Sequence, residues 1–162
     1  MIGKKIVRLH KPNLCPRDRF RYRNMQIEHV INKCHAVSQG FWELLQRYEF
    51  SSAFSANITI GNVFFKGRNI YNLSKNKLKY IINEGHSLTK SLDVHVWITF
   101  ENMTVFDLTI IPTLLHMGLI SEKEFKDNPV LTWREDLESE FNYIPLLVDN
   151  EFMHRVDKAI II

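Results

Sequence analysis

Two runs of β-branched and aromatic residues, separated by only three residues, constrain the fold of this chain more than any other feature. The runs are residues 94–100, VHVWITF, and residues 104–111, TVFDLTII. Such residues favour strands, and a three-residue connection between them favours a β-hairpin. Each run carries one ionisable side chain, His95 in the first and Asp107 in the second. The sequence therefore predicts an antiparallel hairpin that holds one histidine and one aspartate.

The length of the hairpin loop decides whether these two side chains share a face of the sheet, because side chains alternate between faces along a strand. A three-residue loop at 101–103 places Asp107 opposite Trp97. It places His95 opposite Thr109. His95 and Asp107 are then diagonal neighbours, about 7 to 8 Å apart at the backbone, and their side chains can bridge that gap. Such a loop needs a left-handed residue, for which its second and third residues are the candidates.

Three other segments have the apolar spacing of helices. In residues 33–48 apolar side chains recur every three or four positions, which indicates an amphipathic helix. Asn32 is a candidate N-cap for this helix, so Cys34 would lie near its start. The other two predicted helices cover residues 74–83 and 113–127.

Two further segments are predicted strands, residues 51–66 and 141–148. Within the first, Gly61 and Asn62 form a turn or bulge signal. Together these elements predict an α+β fold, in which a helix carrying Cys34 packs on an antiparallel sheet.

The order of these elements brings a cysteine, a histidine and an aspartate into one predicted site. Amides at the start of a helix lower the pKa of a thiol, which favours a reactive thiolate at Cys34. His95 can take the thiol proton, and Asp107 can hold the imidazole in one tautomer. The three residues are therefore candidates for a nucleophilic triad.

Two other interpretations of the same residues remain open. One is a structural pair of His95 and Asp107 beside an inert, buried cysteine. The other is a metal site, since Cys34, His35, His29 and His95 are possible ligands. No zinc-binding spacing such as CxxC or HExxH is present, and adjacent residues 34 and 35 are expected on different faces of the helix. We expect the protein to hold no metal and no cofactor.

The segments NKCHAVSQGFWELLQRY, VHVWITF and VFDLT resemble the core of the transglutaminase-like branch of papain-like cysteine enzymes. That group includes transglutaminases, bacterial peptidases and amidases, arylamine acetyltransferases and the peptidases that mature lasso-peptide precursors. In the family pattern a cysteine opens a helix, His-Ala-Trp lies on a strand and Asp-x-Thr lies on the next strand. Cys34, His95 and Asp107 match the nucleophile, the base and the orienting acid, whereas Val96 replaces the usual alanine. The resemblance covers roughly residues 30–112.

The resemblance implies a papain-like or transglutaminase-like core and a thioester intermediate. The implied reaction is hydrolysis or transfer at an amide or peptide bond, so the implied substrate is a peptide, a protein or an amide. Trp97 and Thr109, which keep the family's tryptophan and threonine, are candidates for the substrate pocket. The backbone amide of Cys34 is the first candidate donor of the oxyanion hole, and the side chain of Gln26 is the preferred second one; Asn32 is the alternative, unless it caps the helix.

The N-terminal leader, residues 1–23, carries four alternating arginines. On an extended segment, Arg17, Arg19, Arg21 and Arg23 would share one face. That face is either solvated or a contact surface for a phosphate or an acidic partner. It supports an alternative function, a non-catalytic binding module on the same fold.

Composition sets the remaining expectations. The chain has 162 residues, which favours one domain, and a net charge of +3, which makes a nucleic-acid partner unlikely. Two cysteines, Cys15 and Cys34, make no disulfide framework and suit a reducing compartment. With no signal peptide and no apolar run of about 18 residues, the expected location is cytoplasmic without membrane contact, and delivery into another cell stays open. Residues 113–162 form an extension that matches no family pattern.

Overall fold

The computed structural model describes residues 30–47, 55–85 and 92–156. Within these ranges the fold is α+β, with helices packed on a curled antiparallel sheet of six strands. The strands are β1 (Ala56–Phe65), β2 (Arg68–Asn69), β3 (His95–Phe100), β4 (Val105–Asp107), β5 (Leu131–Trp133) and β6 (Phe141–Val148). The helices are α1 (Cys34–Arg47), α2 (Lys75–Glu84), α3 (Ile110–His116), α4 (Glu122–Asp127) and α5 (Phe152–Val156).

Strand β1 is the centre of the sheet. It pairs with β3 along Ala56–Gly61, with β6 along Thr59–Phe65 and with β2 at its last two residues. The sheet continues from β3 to β4 and from β4 to β5. The indole Nε1 of Trp133 on β5 donates to the backbone oxygen of Phe141 on β6 at 2.9 Å, so the two outer strands approach each other. The sheet therefore curls around one concave face.

The two faces of the sheet pack on different helices. The convex face packs on α1, α2 and α5 through a core that includes Ile58, Ile60, Val96, Ile98, Leu78 and Phe152. The concave face packs on α3 through a core that includes Val63, Trp97, Val105, Ile110, Leu114 and Tyr143. Because side chains alternate along β3, His95 lies on the concave face with Trp97.

The hairpin of β3 and β4 has the predicted register. Ile98 pairs with Phe106, and Thr99 pairs with Val105. Met103, with φ 61°, is the left-handed residue that a loop of this length requires. The register predicted from loop length and residue pattern is confirmed.

The second strand of the hairpin is shorter than predicted. It ends at Asp107, and α3 begins at Ile110. The Asp107 carboxylate accepts hydrogen bonds from the amides of Thr109 and Ile110 at 2.9 Å and 3.0 Å, and these bonds start a helix instead of extending a strand. Pro112 has no N–H for a sheet but fits the first turn of a helix. The prediction that His95 lies opposite Thr109 on a strand is therefore wrong.

Two helix predictions also differ from the structure. The segment 113–127 is not one helix: it is divided between α3 and α4, and Gly118 between them has a left-handed φ of 67°. Helix α1 begins at Cys34, so Lys33 precedes it directly. Asn32 has φ 57°, whereas an N-cap residue is usually extended, so its prediction as the cap is wrong.

Gly61 and Asn62 lie inside a strand and not in a turn. The pairing of β1 with β6 shifts immediately before Gly61, which confirms the bulge alternative. A Cβ at Gly61 would lie 2.8 Å from the Trp97 ring and would collide with the Ile144 backbone oxygen, so only glycine fits here. The Asn62 side chain donates to the Leu73 backbone oxygen at 2.8 Å and accepts from its amide at 2.7 Å. These two bonds fix the segment that follows β2.

None of the helices in the described ranges is both long enough and apolar enough to cross a bilayer.

Candidate active site

Helix α1 is attached to the sheet by polar side chains one turn apart. The three hydrogen bonds run from Cys34 Sγ to Val94 O at 3.2 Å, from Ser38 Oγ to Val96 O at 2.9 Å and from Trp42 Nε1 to Ala56 O at 2.8 Å. The helix therefore lies along β3, with its first residue beside the start of that strand. This attachment places the Cys34 thiol next to the residue that precedes His95.

His95 and Asp107 are in direct contact on the concave face. His95 Nε2 lies 2.5 Å from Asp107 Oδ2, and both side chains are 0% exposed. An ionised carboxylate only accepts hydrogen bonds, so Nε2 carries a proton. His95 Nδ1 is buried and has no hydrogen-bond partner among the described residues. Nδ1 is thus the nitrogen left for the thiol.

The Asp107 carboxylate is fully occupied by donors. Oδ1 accepts from the Thr109 amide, the Thr109 hydroxyl and the Ile110 amide, and Oδ2 accepts from His95 and from the Tyr143 hydroxyl at 2.8 Å. Burial alone would raise the pKa of Asp107. The charge and hydrogen bond of His95, with the bonds from Thr109 and Tyr143, outweigh burial and hold this pKa below its ordinary 3.8. Asp107 is therefore a buried, ionised carboxylate.

Aromatic rings enclose the imidazole of His95. The Tyr71 ring stacks on it with centroids 4.5 Å apart, and the Trp97 ring lies at 5.8 Å. Burial, helped by neighbouring negative charge, raises the pKa of Tyr71 and raises that of Tyr143 well above 10.0. Both tyrosines therefore stay protonated, and Tyr143 keeps its proton to donate to Asp107.

The electrostatics favour an ionised thiol. Cys34 is 5% exposed, and burial by itself would raise the pKa of its thiol. The neighbouring imidazoles of His35 and His95 outweigh burial and lower that pKa from 9.0 to about 7. Burial would lower the pKa of His95, but the charge and hydrogen bond of Asp107, together with Cys34, raise it from 6.5 to about 10. Both shifts favour transfer of the thiol proton from Cys34 to His95.

The structure brings together three of the residues singled out in the sequence, Cys34, His95 and Asp107, with Trp97 beside them. Thr109 does not fit its prediction as a residue of the substrate pocket. It is 1% exposed, and its amide and hydroxyl both donate to Asp107, so it holds the carboxylate in place.

Several other predicted residues lie outside the described residues. These are the oxyanion candidate Gln26, the four leader arginines Arg17, Arg19, Arg21 and Arg23, the second thiol Cys15 and the possible metal ligand His29.

Sequence reasoning missed three residues that contact the site. His35 was expected on a helix face away from the thiol, but its imidazole lowers the pKa of Cys34. Tyr143 lies 36 positions beyond Asp107, and no local pattern links the two. Tyr71 stacks on His95 from the segment after β2, which Asn62 holds at Leu73. Only His35 carried a signal, its place next to the nucleophile candidate.

The described part of the chain contains no group of three or more histidine, cysteine or acidic side chains that could hold a metal ion. No protein-family model, curated protein or solved structure matches the chain.

Proposed function

We propose that this protein is a cysteine hydrolase or acyl transferase that acts on an amide or peptide bond. The observation that carries the proposal is the arrangement around His95. Its Nε2 is bound to a buried carboxylate, its Nδ1 is unpartnered among the described residues, and its charge lowers the pKa of the nearby Cys34 thiol to about 7. Strongly shifted pKa values of interacting groups are a hallmark of catalytic sites.

In the proposed first step, the Cys34 thiolate attacks the carbonyl carbon of the substrate, and a sulfur–carbon bond forms. The carbon–nitrogen bond then breaks, and the leaving nitrogen takes the proton from His95 Nδ1. The products of this step are a thioester on Cys34, a neutral His95 and a free amine. Asp107 keeps the Nε2 proton in place throughout, which holds the ring in the tautomer that the step requires.

In the second step, His95 Nδ1 accepts a proton from water or from an acceptor amine as that molecule attacks the thioester. The carbon–sulfur bond breaks, which regenerates the Cys34 thiolate and the His95 imidazolium. Water gives hydrolysis, and an amine gives transfer. Trp97 and Tyr71 exclude solvent from the imidazole on two sides, which strengthens its interaction with Asp107.

The arrangement of elements supports the family resemblance seen in the sequence. A helix that begins at the cysteine packs on an antiparallel sheet, and the histidine and aspartate lie on adjacent strands of that sheet. This is the layout that a papain-like or transglutaminase-like core requires. We therefore include that core in the proposal, with Cys34 as nucleophile, His95 as base and acid, and Asp107 as orienting acid.

The experiment is acylation by a small generic donor, p-nitrophenyl acetate, in a Cys15→Ser background that leaves one thiol. We expect release of p-nitrophenol, an acetyl adduct on Cys34 in the intact mass, and loss of both with Cys34→Ala. His95→Gln should slow turnover, whereas His154→Gln, at an exposed histidine, should match the parent protein. Asp107→Asn should slow turnover about 10- to 10³-fold, less than Cys34→Ala. Equal turnover by the Cys34→Ala variant would contradict the proposal.

A second candidate is the non-catalytic binding module, and the burial of the thiol favours it. Cys34 is only 5% exposed, and its Sγ is hydrogen-bonded to the Val94 backbone oxygen, as in many inert structural cysteines. This candidate predicts no adduct on Cys34. It also predicts weaker binding to an anionic partner when two of the leader arginines are replaced, with a smaller loss at high salt.

A further inference from the structure

The concave face of the curled sheet contains a cavity of about 550 Å³ near the hairpin loop. Cys34, His95 and Asp107 do not line it; Trp97 and Tyr143, which contact the His95–Asp107 pair, form its wall on that side. The volume lies within the range of small-molecule sites, about 300 to 1,000 Å³. The cavity is therefore large enough to hold a small ligand separately from the thiol.

The floor of the cavity is a set of packed aromatic rings. The rings of Trp97 and Tyr143 meet edge to face with centroids 5.0 Å apart, and those of Trp133 and Tyr143 lie 5.3 Å apart. Both indole N–H groups are already used, one on the Thr99 hydroxyl at 3.1 Å and one on the Phe141 backbone oxygen at 2.9 Å. The Tyr143 hydroxyl is used on Asp107. Trp97 and Tyr143 are buried, at 1% and 5% exposed, so Trp133 provides most of the accessible ring surface, and none of the three rings has a free donor.

The rim of the cavity carries negative charge. Glu101 and Glu135 both line it, and neither forms an ion pair with any described residue. Exposed apolar side chains adjoin them, including Met103, 66% exposed, and Val148, 59% exposed. Aromatic faces and carboxylates both attract an organic cation, and the apolar rim favours a ligand with an apolar body.

We propose that this cavity binds an amphipathic amine, with its apolar body against Trp133, Met103 and Val148 and its ammonium group at the carboxylates of Glu101 and Glu135. Charge complementarity selects this occupant, because the rim presents two carboxylates that form no ion pair with any described residue. The proposal does not depend on a reaction at Cys34.

The experiment compares three probes that share one aromatic body: 2-phenylethylamine, 2-phenylethanol and phenylacetate. Two of the three tryptophans of the chain line the cavity, so intrinsic fluorescence and calorimetry on the full chain both report binding. We expect the amine to bind about 10-fold more tightly than the alcohol, and the acid to bind most weakly. Equal binding of the amine and the alcohol, tighter binding of the acid, or no binding of any probe would overturn the proposal.

Matched variants locate the interaction. Glu101→Gln with Glu135→Gln should bring amine binding to the level of the alcohol, about a 10-fold loss, and should remove its salt dependence. The control pair, Glu84→Gln with Glu138→Gln, changes two exposed glutamates away from the cavity and should leave amine binding unchanged. Trp133→Leu should weaken the amine and the alcohol alike. Unchanged amine binding in the Glu101 and Glu135 double variant would place the ligand elsewhere.

Discussion

Asp107 and Cys34 flank one histidine, and the fold holds them in very different ways. Asp107 receives five hydrogen bonds: one from β3, one from β6 and three from Thr109 and Ile110 at the start of α3. Cys34 makes one hydrogen bond, to a backbone oxygen, and the Nδ1 atoms of both neighbouring histidines have no hydrogen-bond partner in the described residues. The Asp107 side of the site, the acid end, is therefore fixed by hydrogen bonds from the surrounding strands and helix. The Cys34 side of the site, the thiol end, keeps two imidazole nitrogens that have no hydrogen-bond partner among the described residues and are available for proton transfer.

Replacing Asp107 should cause the largest loss of stability. Asp107→Ala leaves five donors without their acceptor and His95 without its counter-charge, so we expect the free energy of unfolding to fall by about 3 to 5 kcal/mol. Cys34→Ala removes one small buried atom and should cost about 1 kcal/mol. Urea denaturation measures both. The control Asp136→Ala, at an exposed ion pair, should change stability by less than about 0.5 kcal/mol. Similar losses for Asp107→Ala and Cys34→Ala would remove the contrast between the two ends.

The second comparison is the pH dependence of the free energy of unfolding, to which His95 and Cys34 contribute with opposite signs. The pKa of His95 is raised from 6.5 to about 10, so its contribution is complete below pH 6.5 and is lost as the pH rises toward 10. The pKa of Cys34 is lowered from 9.0 to about 7, so its contribution is complete above pH 9.0 and is lost as the pH falls toward 7. Between pH 7 and pH 9 these two slopes oppose each other in the natural protein.

Cys34→Ser keeps a side chain of similar size that does not ionise, so only the His95 slope remains in that variant. The parent protein should gain about 1.4 kcal/mol of stability over Cys34→Ser for each pH unit between 7 and 9. Denaturation curves of both proteins at several pH values measure this difference, in which the titrating groups other than His95 cancel. A difference that does not change with pH would mean that the folded protein keeps the thiol protonated.

A smaller effect should come from the hydroxyl group that only the acid end receives. Tyr143→Phe removes one donor from the Asp107 carboxylate and leaves the ring packing in place, so we expect a loss of about 1.5 to 2 kcal/mol. Tyr80→Phe, at a tyrosine that is 67% exposed, should be close to neutral. Thermal or urea unfolding measures both losses. Equal losses for the two substitutions would show that the Tyr143 hydrogen bond to Asp107 does not contribute to stability.

The smallest effect on stability should come from His35. His35→Gln removes an imidazole that lowers the thiol pKa, so this pKa should rise from about 7 toward 9.0 while stability changes by less than about 0.5 kcal/mol. The exposed His154→Gln is the control. A lower thiol pKa in the His35→Gln variant would contradict the described contact.

The hairpin was predictable because its information is local. Two strand-forming runs and a loop of three residues set the register, and the register sets the faces of His95 and Asp107. The end of β4 was not predictable, because the Asp107 carboxylate competes with the sheet for the amides of Thr109 and Ile110. Strand propensities do not account for that competition.

The surroundings of the triad candidates were predictable only in part. The position of Cys34 at the start of a helix followed from apolar spacing, but Ser38 and Trp42, which bind that helix to the sheet, gave no sign of this role. Tyr143 reaches Asp107 because the sheet curls, and the curl is a property of all the strands together. Long-range contacts of this kind have no signature in a single sequence.

A titration of the Cys34 thiol in a Cys15→Ser background tests directly whether His95 stabilises a thiolate at Cys34. Ultraviolet absorbance of the thiolate needs no reagent to enter the site, and Cys34→Ala gives the baseline. We predict a midpoint near pH 7 that moves to well above pH 8 in His95→Gln, because the imidazolium stabilises the thiolate. A midpoint at or above the ordinary value of 9.0 in the parent protein would contradict the account, because the thiol would then be an inert core residue beside a structural His95–Asp107 pair.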